Sequence, residues 1–376
     1  MPIVSVTGPL AHDVVIEGGA LARLGDYIAA AGLRPGTKLH LAEDANVVEP
    51  HGAVAAASLN AAGFSVTRST LEADERVKTM PAVEALWSAA LAARLGRGDA
   101  FVALGGGLVG DVVGFAAASY LRGIAVVQVP TTLLAMVDAS TGGKTGVNVA
   151  LPAGASTGSR RPSLGKKLAG AFWPPRVVIA DPATLRTLPP RELSSGLAEC
   201  VKHAVIDGVA HLDFLEAILD RVLALDEGAI GELVARSVAV KAAIVGRDPR
   251  EAGERAILNL GHTFAHAFET YDGLDLTHGE AVAIGLVAAA KLAVDLGDGD
   301  AAFERRVREL LRRARLPVAV TGSVDATEVL RRMGFDKKSE SGSARFVVPS
   351  RSGPPRCGVQ VPEPAIRAAL RTVGVP

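Results

Sequence analysis

The spacing of apolar residues changes character part-way along this chain. In the first half, short apolar runs alternate with longer amphipathic segments. Residues 2–7 and 13–17 read as two strands joined by Gly8–Pro9. An Ala/Leu-rich helix over about 19–32 follows, then a strand at 38–43, a helix at 47–62 and a strand at 64–70. A helix at 80–95, a strand at 99–106, a helix from near Leu108 and a strand at 124–130 complete the pattern. Strands alternating with helices predict a parallel sheet covered on both faces. The runs AFVAL and AVVQV are apolar throughout most of their length, as buried parallel strands are.

Near Asp181–Pro182 the period becomes helical. Segments at 190–206, 210–224, 227–246, 257–271, 278–296 and 301–314 are punctuated by Asp, Gly and Pro. The tail adds a helix at 325–333, a strand RFVVPS and a final helix at 363–372. The expected architecture is an α/β Rossmann-like domain over 1–182, then an all-α domain over 183–376. One segment, 149–163, is rich in Gly, Ala, Ser, Pro and Arg without any period, and reads as a surface loop.

Composition narrows the function. Lys plus Arg number 40, as do Asp plus Glu, so nothing favours a polyanionic partner. Aromatic residues make only 4%, which argues against a base-stacking surface. Nucleic acid is therefore not an expected partner. Cys200 and Cys357 lack CxxC spacing, which fits a reducing compartment and gives no thiolate metal site. The N-terminal residues do not read as a signal peptide. The longest apolar stretches, 101–119 and 281–296, carry Asp111, Lys291 and Asp295, so no membrane span is expected. The expected location is cytoplasmic.

Gly105, Gly107 and Gly110 fit G-x-G-x-x-G between a strand and a helix. Such a turn lets backbone approach a pyrophosphate at a helix N-terminus. It also serves simply to pack helix on sheet. Asp111 would sit poorly beside phosphate and suits a sugar hydroxyl or backbone donors better. Asp44 and Asn46 end a strand, where an acidic residue can hold a ribose or merely start a helix. Thr131 and Thr132 close another strand at the edge where parallel sheets bind ligands. The stretch Asp138 to Lys144 fails the P-loop spacing, and reads as a glycine turn presenting Lys144 to a small anion. Lys166 and Lys167 offer a second anion contact, or a solvated pair.

In the helical half, Glu199 and Lys202 share a helix face, as a surface ion pair or as part of a site. His262 and His266 are four apart and also share a face, as core histidines or as ligands. His278 precedes a further helix. Two imidazoles from neighbouring helices need one carboxylate to make a catalytic zinc site with an open position, and Glu199 is the candidate.

Together the stretches GGGLVGDVVGF, YLRG, VPTTLLAMVDAS, GGKTGVN, LGKKLAGAF, LPPRELSSGLAECVKHAVI, NLGHTFAHAFE, LTHGEAVAIG and DKKSESG resemble one family, the 3-dehydroquinate synthases of the sugar-phosphate cyclase group. They run from 105 to 342 in the family's order. The resemblance implies NAD and a divalent metal, zinc first with cobalt as an alternative, in a homodimer. It implies metal ligands Glu199, His262 and His278. By the same resemblance Asp44, Asn46, Glu75, Lys78, Gly106, Gly107, Asp111, Thr131 and Thr132 bind the cofactor. Asp138, Lys144, Lys166, Lys202, Lys241, Arg255, Asn259, His266 and Lys337 belong to the substrate site. Of these, Lys144, Lys202, Arg255, Asn259 and His266 are the catalytic candidates. Arg122 in YLRG resembles an arginine that reaches into the partner's site.

The implied substrate is 3-deoxy-arabino-heptulosonate 7-phosphate, a small sugar phosphate. The implied reaction is transient oxidation, phosphate elimination, re-reduction and intramolecular aldol closure to 3-dehydroquinate, in the shikimate pathway. This chain departs from the family in a longer interval between Lys144 and Lys166, in Lys167 where the family usually has Asn, and in the segment Glu75-Arg-Val-Lys78. The alternatives are a sister cyclase of secondary metabolism and an NAD- and metal-dependent alcohol dehydrogenase of similar fold.

Overall fold

The computed structural model describes residues 2–72, 74–150, 164–334 and 344–376. The chain divides into two compact units, Met1–Leu188 and Pro189–Pro376. The first holds β1 (Ile3–Val6), β2 (His12–Ile16), α1 (Leu24–Ala30), β3 (Lys38–Asp44), α2 (Ala53–Ala61), β4 (Ser65–Leu71) and α3 (Met80–Ala92). It continues with β5 (Ala100–Gly105), α4 (Gly107–Ser119), β6 (Ala125–Pro130), β7 (Lys144–Ala150), β8 (Leu164–Phe172) and β9 (Val177–Ala180). Among the described residues the main sheet runs β1-β2-β9-β6-β5-β3-β4, parallel except where β1 meets β2.

Successive side chains on a strand face opposite ways, and each face of this sheet has its own apolar layer. Leu39, Leu41, Val102, Leu104 and Val127 pack with Leu24, Ile28 and Leu59 on one face. Phe101, Ala103 and Val126 pack with Val83, Leu86, Val112 and Val113 on the other. The parallel sheet covered on both faces is thus as the sequence pattern predicts.

Three local features differ from that pattern. The helix expected over 47–62 begins as a π-helical turn at Val48–Gly52. Pro50 cannot donate in a helix interior, which opens the turn. Glycine is required at its end, because a Cβ on Gly52 would lie 1.9 Å from the buried Glu43 carboxylate. That carboxylate accepts from Arg68 Nε and Nη2 at 2.6 and 2.8 Å. Second, β7 and β8 form an antiparallel hairpin, with Gly146 opposite Gly170. Those glycines hide the strand period, but the close backbone approach needs them: a Cβ on Gly170 would meet Thr145 O at 2.0 Å. The start of the expected loop, residues 149 and 150, belongs to β7; its remainder from 151 lies outside the described residues. Third, the turn Pro182–Thr187 stays with the first unit. Its cap Asp181 accepts backbone N–H bonds from Gly19, Leu21 and Ala183, each at 2.9 Å, and Thr187 Oγ1 lies 2.8 Å from His51 Nε2.

The second unit holds α5 (Pro190–Asp207), α6 (Val209–Leu223), α7 (Glu227–Arg247), α8 (His262–Glu269), α9 (His278–Leu296), α10 (Ala301–Arg313) and α11 (Ala326–Gly334). A small antiparallel hairpin of β10 (Arg345–Val348) and β11 (Arg356–Gln360) follows, then α12 (Glu363–Thr372). β11 was not readable, because RCGVQ is mostly exposed and carries no apolar alternation. α9 is the central element: almost every residue from Gly279 to Ala293 is buried, and it packs against α5, α8, α10 and α12.

The helix expected over 257–271 is divided. A 3-10 turn at Glu254–Asn259 is separated from α8 by Gly261, whose φ of +78° is left-handed. The break exists because α9 comes very close: a Cβ on Gly285 would lie 2.2 Å from Gly261 O. A second close approach occurs earlier on α9, where a Cβ on Gly279 would lie 2.0 Å from Ser195 O of α5.

Gly285→Ala is expected to destabilise the protein by about 1–3 kcal/mol, because the obstructing atoms are backbone and the helices must separate. Gly231→Ala on α7, where a Cβ meets nothing within 4 Å, is the control and should be neutral or stabilising. Denaturant unfolding of the two variants checks the contrast.

Candidate active site

The second unit brings Glu199, His262 and His278 together. One ligand-capable atom from each lies within 4.8 Å of the others. Glu199 sits in the third turn of α5 and is fully buried. His262 is the first residue of α8, fixed there by the Gly261 turn. His278 is the first residue of α9. Glu199 Oε1 is 3.5 Å from His262 Nε2 and 3.3 Å from His278 Nε2. Ligand atoms around a tetrahedral zinc with bonds of ~2.1 Å stand about 3.4 Å apart. Two imidazole nitrogens and one carboxylate oxygen at this spacing fit a divalent cation with a position left open.

The surroundings fix each ligand. His262 Nδ1 is 3.1 Å from Leu260 O, which directs Nε2 toward Glu199. His278 Nδ1 is 2.9 Å from Glu269 Oε1, at the last residue of α8. The other Glu199 oxygen pairs with Lys202 Nζ, itself buried, one turn along α5. The surface-pair reading of Glu199 and Lys202 is therefore excluded. Thr277 and Glu280 form a capping box: Thr277 Oγ1 accepts from Glu280 N at 3.3 Å, and Glu280 Oε2 accepts from Thr277 N at 2.7 Å. Arg191, in the first turn of α5, donates to both Glu280 oxygens at 2.8 Å and to Asp275 O at 2.7 Å. Ser195 Oγ accepts from Gly279 N at 3.1 Å.

The two histidines are shifted in opposite directions. Burial, with the Lys202 cation nearby, keeps His262 well below the ordinary histidine value. Burial acts the same way on His278, but the Glu199 and Glu269 carboxylates outweigh it and raise His278 to about 9.

His266 lies one turn beyond His262, their rings 5.4 Å apart and edge-to-face. Arg255 is buried; its N–H donates to Asp248 Oδ2 at 2.9 Å and its Nη1 to Pro249 O at 2.6 Å. Asn259 Nδ2 donates to Glu251 Oε1 at 2.7 Å and to Ala256 O at 3.2 Å. Lys241 is buried on α7. Lys337 lies outside the described residues. Glu269, Arg191 and Glu280 were missed in the sequence, although Thr277-His-Gly-Glu280 is a legible capping pattern and Glu269 is two helical turns from His262 on the same face.

In the first unit the strand ends align. Asp44, Gly105 and Pro130 close β3, β5 and β6 at one edge of the sheet. α4 starts at Gly107 with no side-chain cap. A Cβ on Gly105 would meet Asp44 Cβ at 2.8 Å, one on Gly106 would meet Thr132 Cγ2 at 3.3 Å, and one on Gly107 would meet Ala139 Cβ at 2.9 Å. Thr131 N donates to Gly105 O at 2.9 Å. Asp44 Oδ1 accepts from the backbone and side-chain nitrogens of Asn46, at 2.9 and 3.1 Å.

Lys78 Nζ pairs with Asp111 Oδ2 at 2.5 Å; burial opposes its charge, but Asp111 and Glu75 outweigh this and raise its pKa. Asn148 on β7 donates from its backbone to Lys78 O and from its side chain to Glu75 Oε1, both at 2.8 Å. Glu75, Lys78 and Asp111 are thus one linked group. Asp138 is half-buried in the π-helical turn Ala135–Ala139, and Lys144 opens β7 in an exposed position. Lys166 lies on β8, its side chain outside the described residues. Arg122 is exposed, with φ of +68° after Leu121 at +48°.

Family models for the 3-dehydroquinate synthase N-terminal and C-terminal domains match residues 68–195 and 196–339. A 3-dehydroquinate synthase of Synechococcus is 42% identical over 369 residues, covering 97% of each chain. The chain belongs to the 3-dehydroquinate synthase family. Solved structures of sister enzymes share the fold. The 2-epi-5-epi-valiolone synthase ValA of Streptomyces hygroscopicus, with NAD+ and Zn2+ bound, is 28% identical with a TM-score of 0.84 over 98% of both chains. A 2-deoxy-scyllo-inosose synthase complexed with carbaglucose-6-phosphate, NAD+ and Co2+ is 26% identical with a TM-score of 0.85, over 98% of this chain and 99% of that one.

Within this dehydroquinate synthase fold the α9 cap carries His278, so weakening it should be felt at the site. The Arg191 bond and the cap hold the Glu280 carboxyl below its ordinary value. Its contribution to stability is therefore full above the unfolded carboxylate pKa and is lost as pH falls through the depressed folded one. Glu280→Gln is expected to cost about 0.5–1 kcal/mol at pH 7, the low end because Arg191 is half exposed. The difference from wild type should shrink below about pH 4; unfolding curves at pH 7 and pH 3.5 check it.

Proposed function

We propose that the protein converts 3-deoxy-arabino-heptulosonate 7-phosphate into 3-dehydroquinate and phosphate, with NAD and a divalent metal, zinc before cobalt. The observation that carries this reading is the buried convergence of Glu199, His262 and His278 in a chain so similar to dehydroquinate synthases along its length. Identity to the sister cyclases is much lower, which favours the seven-carbon substrate over theirs.

The sequence of events is oxidation of one hydroxyl to a ketone, elimination of phosphate from the carbon beyond the acidified C–H, reduction of the ketone, and aldol closure of the ring. Atoms balance as substrate to product plus phosphate, with no net redox change. Glu199, His262 and His278 would hold the metal, which would polarise adjacent substrate hydroxyls, and bound NAD would supply the reversible hydride acceptor.

The chain's own residues orient and neutralise. In the second unit, Lys202, Lys241 and Arg255 supply cations for the phosphate and carboxylate, and Lys337 adds another. Asn259, held by Glu251, presents its amide in a fixed orientation, and His266 stands beside His262 to move a proton or contact the phosphate. In the first unit, Asp138, Lys144 and Lys166 complete the substrate contacts. The turn Gly105–Gly107 with Asp44, Asn46, Glu75, Lys78, Asp111, Thr131 and Thr132 receives the NAD pyrophosphate and sugars. Arg122, exposed on a strained left-handed turn, serves the partner's site in a cytoplasmic homodimer.

Phosphate release from the seven-carbon substrate with added NAD is the deciding assay. It should proceed without accumulation of NADH and should not occur with sedoheptulose 7-phosphate. Stoichiometric NADH would favour a dehydrogenase, and turnover of sedoheptulose 7-phosphate a sister cyclase. His262→Ala should lose metal binding and more than 100-fold in turnover while keeping the fold; wild-type activity in that variant would refute the metal triad.

A further inference from the structure

The reading of Glu199, His262 and His278 as metal ligands leaves open what makes His278 present Nε2 rather than Nδ1. A neutral imidazole exposes a lone pair on one nitrogen, and the hydrogen bond at the other nitrogen decides which. For His262 that bond goes to a neutral backbone carbonyl, Leu260 O at 3.1 Å. For His278 it goes to a carboxylate, Glu269 Oε1 at 2.9 Å. The orienting groups therefore differ in chemistry, and one of them is a side chain that can be changed.

Glu269 is an unexpected residue where it stands. It closes α8, and a carboxylate in the last turn opposes the helix macrodipole, which favours cations there. A compensating partner is needed, and His278 is that partner. The group is mostly enclosed, with the Glu269 side chain 15% and the His278 side chain 29% exposed. Both hydrogen-bonding ring nitrogens of His278 face carboxylates, Glu269 on one side and Glu199 on the other. Glu269 is not in the ligand cluster itself. α8 thus serves the site at both ends: His262 from its first residue and the orienting Glu269 from its last, two turns along one face.

We propose that Glu269 is a positioning residue of the metal centre: it accepts the Nδ1–H of His278 and thereby commits Nε2 to the cation. The inference rests on the metal triad of the proposed function. Removal of Glu269 frees the imidazole to flip or to change tautomer, with the ligand still present.

The test measures zinc and cobalt affinity of the full-length protein by competition with a chromophoric chelator, for wild type, Glu269→Gln, Glu269→Ala and His262→Ala. Glu269→Ala is expected to bind 10- to 100-fold more weakly than wild type. Glu269→Gln keeps a neutral acceptor and should lose less than about 10-fold. The cobalt absorption bands should shift in Glu269→Ala and largely return in Glu269→Gln. Nitrogen-15 NMR of the zinc-loaded wild type should find the proton of His278 on Nδ1.

Affinity within twofold of wild type in Glu269→Ala would overturn the proposal. So would a bare Nδ1 in wild type, or equal weakening in both Glu269 variants that tracks their loss of unfolding stability. Should Glu269→Ala not fold, the NMR result and the Glu269→Gln affinity decide. Failure of the metal triad itself has a different signature: wild type and His262→Ala would then bind both metals equally.

Discussion

The geometry of the second unit depends on how closely backbone can approach α9. Packed helices ordinarily keep 8–10 Å between axes, a distance set by the side chains at the crossing. At Gly279 and Gly285 this spacer is missing, and carbonyl oxygens of Ser195 and Gly261 occupy the space a Cβ would take. Each contact lies next to a candidate ligand. Gly279 follows His278, Ser195 is one turn before Glu199, and Gly261 precedes His262. Two glycines on one helix thereby set the mutual positions of three side chains on three helices. The helix break at Gly261 is part of the same arrangement, since a left-handed residue is what turns the chain into α8 at that point.

Charge placed this deep requires partners. Glu199 and Lys202 are both almost fully buried, and desolvation on that scale is repaid only by close, well-directed partners. Glu199 divides its two oxygens accordingly, one toward the imidazoles and one toward Lys202. The histidines then separate by environment: burial and a nearby cation push His262 down, while the two carboxylates beside His278 push it up. The open Arg191–Glu280 pair is different in kind: solvent screens it, and its value lies in tying the start of α5 to the start of α9.

Much of this was legible from residue order. Periods of two and 3.6 located the strands of the main sheet except β9, and most helices, because burial on one or both faces leaves a strong imprint on such elements. The hairpin of β7 and β8 was not legible, since its glycines are required by backbone contact and erase the alternation. The π-turn ahead of α2 and the break before α8 also depend on what packs against them, and periodicity carries no such information. At the site, the i,i+4 spacing of His262 and His266 correctly placed both in one region. What it could not convey is that Glu269 reaches a histidine on the next helix, which depends on the chain reversal between α8 and α9.

The glycine turn of the first unit raises a similar point about charge. Read in sequence, Asp111 is a poor neighbour for an anion, since it lies within the first turns of the helix meant to receive it. In three dimensions its carboxylate is neutralised by Lys78, which is held by Asn148 through its own carbonyl and through Glu75. The helix start therefore keeps its uncapped N–H groups without a net negative charge beside them. Lys78 is 33 positions from Asp111 and on another element, so the compensation has no local signature. The segment Glu75-Arg-Val-Lys78 supplies both residues that make this link, Glu75 and Lys78. Arg76 points its charge at Asp74 instead.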